Sequence, residues 1–192
     1  MKNMTDSNLI KPTNEIEALQ QGELIVYPTE AVWGIGCDPE NEAAVMKLLA
    51  AKNRPVEKGL ILVAQNLSQC HDYFDFDKVP IEKRPEIFSS WPGPITWLLP
   101  AKASAPKWIT GGSDMIAIRI SAHPTIQRIC KTFNRPIVST SANRTTEPVC
   151  NNIGEAMKVF GSDVSIYVNE SLGGSDKPSI IKHSLTGEIF RS

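Results

Sequence analysis

What the 192-residue sequence lacks narrows its class before any motif is read. It has no internal repeat, low-complexity tract or long Gly/Ser linker, so one domain over 1–192 is expected. The opening MKNMTDSNLIKPTNEIEALQQG contains no apolar h-region, and a secretory leader is not expected. The longest apolar runs, such as LIVY (24–27) and LILVA (60–64), fall short of the roughly 18 residues that a membrane span needs. Cys37, Cys70, Cys130 and Cys150 form no CxxC pair, and His71, His123 and His183 fall at neither finger nor HExxH spacing. Four reduced thiols, no protein-held metal and a cytoplasmic chain are therefore expected. No excess of either charge exists: 20 Lys and Arg stand against 21 Asp and Glu, net −1, which argues against a general nucleic-acid magnet. Walker-type GxxxxGK[ST], the third glycine of a dinucleotide fingerprint and a GxSxG elbow are all missing. With them go the P-loop, the Rossmann site and a serine nucleophile.

What is present is an ordinary globular composition, 41% apolar and 21% charged, which excludes intrinsic disorder. Asn14 to Gln21 reads as a helix with Asn14 as N-cap, Glu17 three residues on and Gly22 as stop. LIVY follows as a strand broken by Pro28. Asn41 caps a second helix through Ala51, which must yield near Asn53 because Pro55 disfavours helical geometry before it. Further strands are expected at 60–64, 95–100, 115–120, 137–140 and VSIYV (164–168), with helices at 66–74, 81–89, 124–133 and 153–160. The end reads as a hairpin of SIIKH and EIFR around Ser184–Gly187. Interleaved strands and helices give an α/β fold with a twisted mixed parallel and antiparallel sheet flanked by helices.

Four segments carry small polar or cationic residues at strand ends. In YPTEAVWGIG (27–36) a strand delivers Thr29 to a loop, and Gly34 and Gly36 either let backbone approach a ligand or simply make a turn. Lys52, Arg54 and Lys58 can converge on polyphosphate if their loop folds back, or can remain a solvated helix end. Arg119 shares its strand face with Met115 and Ala117, so its guanidinium needs an anion, either a protein carboxylate or a ligand's. Ser139, Ser141 and Asn143 share one side of an extended chain and suit a phosphate, a ribose or an amino acid, or else end the strand in a polar turn.

Taken in order, YPTEAVWGIGCDP, KNRPVEKGLILVA, WPGPITWLLPA, AIRISAHP, VSTSAN and LTGEIFR closely resemble the YrdC/TsaC family, whose members are threonylcarbamoyl-AMP synthases. The motifs run from about Leu24 to Arg191, as in the single-domain bacterial form. The resemblance implies condensation of L-threonine, bicarbonate and ATP, with Mg²⁺ held mainly by the phosphates. The product would pass to TsaD/TsaB/TsaE-type machinery for threonylcarbamoylation of adenosine 37 in tRNAs reading codons that begin with A. It implies Lys52 and Arg54 as catalytic phosphate ligands, with Lys58, Ser141, Asn143 and Arg191 also on ATP. It implies Thr29, Arg119, Ser139 and Ser179 around the threonine, with Arg119 on the carboxylate.

Two departures from the family stand out. Thr146 occupies the glycine of the usual Ser-Gly-x-Pro, and Ser179-Ile180 replaces Ser-Thr. The competing expectation is a tRNA or double-stranded-RNA-binding module without adenylation, or weak RNA binding beside the synthase activity. It draws on Lys52, Arg54, Lys58, Arg119 and Arg144 and would show steep salt dependence. Carbamoyl-adenylating relatives from hydrogenase maturation carry further zinc-finger and acylphosphatase domains, for which the length leaves no room.

Overall fold

The computed structural model describes residues 11–191, with Arg191 described by its backbone alone. The first helix, α1 (Glu15–Gln20), starts where Asn14 Oδ1 accepts the N–H groups of Ile16 and Glu17, both at 3.0 Å, and ends before Gly22 at φ +73°. A hairpin follows, β1 (Ile25–Pro28) and β2 (Trp33–Gly36). Helix α2 (Glu42–Lys52) is capped by Asn41 and stopped by Asn53 in the left-handed region. Then come β3 (Ile61–Ala64), α3 (Arg84–Ser89), β4 (Ile95–Pro100), the single turn α4 (Lys107–Thr110) and β5 (Met115–Ile120). The chain closes with α5 (Pro124–Phe133), β6 (Ile137–Ser141), α6 (Ile153–Phe160), β7 (Ile166–Tyr167), β8 (Ile180–His183) and β9 (Ile189–Arg191).

The strands join in the order β7-β1-β2-β6-β3-β5-β4-β8-β9. The pairs β1/β7, β3/β5 and β4/β8 are parallel and the rest antiparallel, the expected mixed sheet. Several local expectations are corrected. The GIG segment is not a loop but β2, with Gly34 in the wall of a cavity, and Pro28 is not lost to its strand but is its last residue, in register opposite Trp33. A Cβ on Gly36 would lie 1.9 Å from the Val138 carbonyl oxygen, so glycine there serves strand packing. The helix expected at 66–74 shrinks to a 3₁₀ turn over Leu67–Cys70, and the one at 81–89 starts only at Arg84. VSIYV contributes two paired residues, Ile166 and Tyr167.

Strand alternation sorts the sheet into two faces. Leu62, Ala64, Trp97, Leu99, Ile116, Ile118 and Val138 pack with Val45, Leu48 and Leu49 of α2 and Ala156 and Phe160 of α6. The opposite face takes Ile25, Tyr27, Val63 and Ile137 against Ala18 and Leu19 of α1 and Ile126, Ile129 and Phe133 of α5. Those two helices cover only part of it. Over the rest, Ile61, Met115, Ala117, Leu98 and Ile181 line a cavity instead of a core. All four cysteines are buried and free, and burial raises each thiol above its ordinary range, so none is poised as a thiolate nucleophile.

Candidate functional site

The cavity has a volume of about 760 Å³ and is lined from seven strands, β2, β6, β3, β5, β4, β8 and β9. That is within the range of ordinary small-molecule sites. Of the residues expected from the sequence, it brings together Thr29, Arg54, Lys58, Arg119, Ser139, Ser141 and Ser179. Lys52 and Asn143 are not in its wall, and the side chain of Arg191 lies outside the described residues.

Thr29 closes the turn between β1 and β2, donating from its hydroxyl to the Val32 carbonyl at 2.6 Å. The loop after α2 does fold back: Gly59 N–H bonds Val56 O, and Leu60 N–H bonds Ile109 O at 2.9 Å. Arg54 Nη2 donates to Gly59 O at 2.9 Å, while its Nε is buried with no hydrogen-bond partner. Burial lowers its pKa, but a guanidinium starts high enough to stay charged. Arg54 and Lys58 thus form a cationic rim fixed by local backbone.

Lys52 is 3% exposed, and its ammonium donates to the backbone carbonyls of Ser141 and Asn143. Its own carbonyl accepts from Thr145 N–H at 2.8 Å. Burial, then the nearby charge of Arg54, lowers its pKa to about 8. These bonds join the end of α2 to the loop beyond β6. Asn143 belongs to that loop: its Nδ2 donates to Arg144 O and Glu147 O at 2.9 and 2.7 Å, and its Oδ1 is buried without a hydrogen-bond partner. Thr146, in place of glycine, holds φ +71°, a left-handed conformation costly for a β-branched residue.

Arg119, 7% exposed, lies at the cavity floor, with Nη1 3.2 Å from Glu30 Oε2. A protein carboxylate therefore answers the guanidinium, and the same guanidinium still faces the cavity. Glu30 also accepts from Ser121 Oγ at 2.6 Å. The sequence reading missed Glu30, although it follows Thr29 directly and is the one acid in that turn. The signal was Arg119's need for an anion. A strap crosses beside this pair: Gly173 N–H donates to Thr29 O at 3.0 Å and Ser175 N–H to Glu30 O at 2.8 Å. A Cβ on Gly173 would meet Glu30 Cα at 2.9 Å, so the close approach requires glycine. Past the strap, Lys177 and Ser179 reach the cavity, Ser179 Oγ lying 2.9 Å from Thr96 Oγ1.

Among the described residues, no group of three or more His, Cys, Asp or Glu is placed to hold a metal ion. The cavity carboxylates are Glu30, Glu57 and Asp114. Also among the described residues, no helix is long and apolar enough to cross a membrane. The arrangement offers cations at a rim and a floor, with hydroxyls between.

The Sua5/YciO/YrdC family model, described as "Telomere recombination", matches residues 17–192. The threonylcarbamoyl-AMP synthase of Pseudoalteromonas translucida (strain TAC 125) is 50% identical over 188 residues, covering 98% of this chain and 100% of that protein. The enzyme of the same name from Pseudoalteromonas atlantica (strain T6c / ATCC BAA-1087) is 53% identical over 170 residues, 88% of this chain and 90% of that one. Among solved structures, P. abyssi Sua5 complexed with L-threonine superposes with a TM-score of 0.80 at 27% identity. The match covers 88% of this chain but 49% of that one, so this chain spans about half the length of the P. abyssi protein. With both its sequence and its fold matched over most of its length, the chain belongs to the Sua5/YciO/YrdC family.

Proposed function

We propose that this chain is an L-threonylcarbamoyladenylate synthase, converting L-threonine, bicarbonate and ATP to L-threonylcarbamoyl-AMP, pyrophosphate and water. The observation carrying this reading is the convergence of Arg54, Lys58, Arg119 and three serines on one cavity, in a chain 50% identical to a synthase over nearly its whole length.

The chemistry asks for little beyond placement. Threonine's amine and bicarbonate give a carbamate, whose oxygen attacks the α-phosphorus as pyrophosphate leaves. Two anions must meet, so the work is charge screening and orientation. Arg54 and Lys58 serve the triphosphate, Arg as a planar fork and Lys as a point charge. Arg119 holds the amino acid's carboxylate, with Thr29, Ser139 and Ser179 around it. Ser141 binds the nucleotide, and Lys52 and Asn143 act by holding the loop from which Ser141 projects. Mg²⁺ arriving on ATP supplies further charge neutralisation, and single cavity carboxylates suit a metal held mostly by phosphates and water. The labile product passes to a transfer complex that modifies tRNA.

The test is pyrophosphate release from ATP and Mg²⁺ with ¹⁴C-bicarbonate, with and without L-threonine, using L-serine and L-alanine as controls. Release requiring both threonine and bicarbonate, with label in a threonylcarbamoyl product, is expected. A folded, ATP-binding protein without threonine-dependent release would overturn the reading. Steep, threonine-independent binding of duplex RNA would then favour an RNA-binding module.

A further inference from the structure

Helices α1, α2 and α6 begin at asparagine caps, Asn14, Asn41 and Asn152. Helix α5, which follows the strand carrying Arg119, begins instead at His123, which is 4% exposed. Histidine is not among the preferred capping residues, and what it adds is a second ring nitrogen. Nδ1 accepts the Thr125 N–H at 3.2 Å, and Nε2 lies 3.1 Å from the Ser171 carbonyl oxygen. A donor faces one nitrogen and an acceptor the other, so the ring is the tautomer protonated at Nε2. Ser171 opens the strap that crosses beside the cavity. Farther along it, Gly173 N–H donates to Thr29 O at 3.0 Å and Ser175 N–H to Glu30 O at 2.8 Å. The turn so held leads back to the start, because Ser121 Oγ donates to Glu30 Oε1 at 2.6 Å and accepts His123 N–H at 3.1 Å. The hydrogen bonds close a ring through Ser121, His123, the strap and the turn between β1 and β2. Each segment of that ring also supplies the cavity wall: Arg119 just before Ser121, Thr29 and Glu30 in the turn, Lys177 and Ser179 beyond the strap. A second tie, from Thr125 Oγ1 and Arg128 Nη2 to Glu170, fixes the chain before the strap rather than the glycine over the turn.

We propose that His123 is a positioning residue for the amino-acid end of the cavity, its Nε2–H latching the strap onto the turn that carries Thr29. The inference rests on the synthase reading and deepens it. His123 is not in the cavity wall, so its effect travels through the strap. Residues 169–179 form no helix or strand, and such a segment keeps its register only through its anchors. The cationic rim is held separately by its own backbone, through Arg54 to Gly59 O and Leu60 N–H to Ile109 O. Loosening the latch therefore falls on threonine and spares ATP.

The experiment measures the Michaelis constants for L-threonine and ATP, by pyrophosphate release at saturating bicarbonate, in His123→Asn and Gly173→Ala. Asparagine keeps a capping acceptor but is too short to reach Ser171 O as well, which separates the latch from the cap. A Cβ on Gly173 would stand 2.9 Å from Glu30 Cα and 3.2 Å from His123 Cδ2, pushing the strap off the turn from its other side. Both variants should raise the threonine constant about threefold to tenfold, the scale of one neutral hydrogen bond. The ATP constant and kcat should stay within about twofold. An unchanged threonine constant in folded His123→Asn overturns the inference, because the imidazole would then be a cap alone. Equal rises in both constants also overturn it, as a general loosening of the fold. Should His123→Asn not fold, Gly173→Ala, in an exposed segment outside every helix and strand, decides by the same two criteria. A wild type without threonine-dependent release overturns the synthase reading and this inference with it. Normal wild-type release with both variants unmoved overturns the inference alone.

Discussion

Two cations lie almost wholly buried beside the same cavity, and they are held in opposite ways. Lys52, at the end of α2, is answered by the carbonyls of Ser141 and Asn143 and does not reach the cavity wall. Arg119, on β5, is answered by the carboxylate of Glu30 and does reach it. Carbonyl dipoles use up an ammonium's few donors, whereas a guanidinium with five donors can satisfy one anion and still offer N–H groups to another. Burial of a charge near a site therefore says little about ligand contact. What decides is which polar atoms remain uncommitted.

The contrast is broken most severely by Arg119→Ala, which strands Glu30 as an unpaired buried carboxylate. It should cost about 3–5 kcal/mol in urea unfolding and abolish synthesis. Adding Glu30→Ala should restore much of the stability and none of the activity, since both charges then leave together. Lys52→Met should have a smaller effect. Two carbonyls lose a donor, at about 1–3 kcal/mol, while a buried ammonium is removed, so a net loss of about 1 kcal/mol or less is expected. Activity should fall mainly through a weaker ATP Michaelis constant, because the damage travels through the loop.

The same lysine gives a pH signature. Its folded pKa of about 8 lies below the ordinary value of 10.5, so between those limits the unfolded chain binds more protons than the native one. This contribution is complete above 10.5 and is lost as pH falls through about 8. The urea midpoint of the wild type relative to Lys52→Met should therefore rise between about pH 7.5 and about pH 10, across most of that window. A flat difference would mean that the ammonium is not held in a desolvated strut. Thr146→Gly should show the smallest effect. Relief of the +71° φ outweighs the added unfolded-state freedom, giving about 1 kcal/mol of stabilisation with little change in rate.

Much of this was legible in the sequence, wherever a local rule had no competitor. Asn14, Asn41 and Gly22 mark helix ends by their own chemistry, and alternation through 115–120 put Arg119 on the face that became the cavity. The family motifs identified seven of the cavity's residues, five of them in or beside strands and two, Arg54 and Lys58, in the loop after α2. The GIG segment misled because two glycines resemble a loop until the Val138 carbonyl is known to press on Gly36. The backbone partners of Lys52 were not legible, because they lie 89 and 91 residues away and no local pattern encodes them. Glu30 was in plain view, but its role needs the 3.2 Å approach of a strand far along the chain.

The central claim is that one cavity has two chemically distinct ends, a cationic rim for the triphosphate and a charge-paired floor for the amino acid. The direct measurement is the pair of Michaelis constants for ATP and L-threonine, at saturating bicarbonate, in Arg54→Ala and Arg119→Lys. The account predicts that Arg54→Ala raises the ATP constant about tenfold or more and leaves threonine within about twofold, with Arg119→Lys doing the reverse. If both variants move both constants together, the two ends are not separate and the account is wrong.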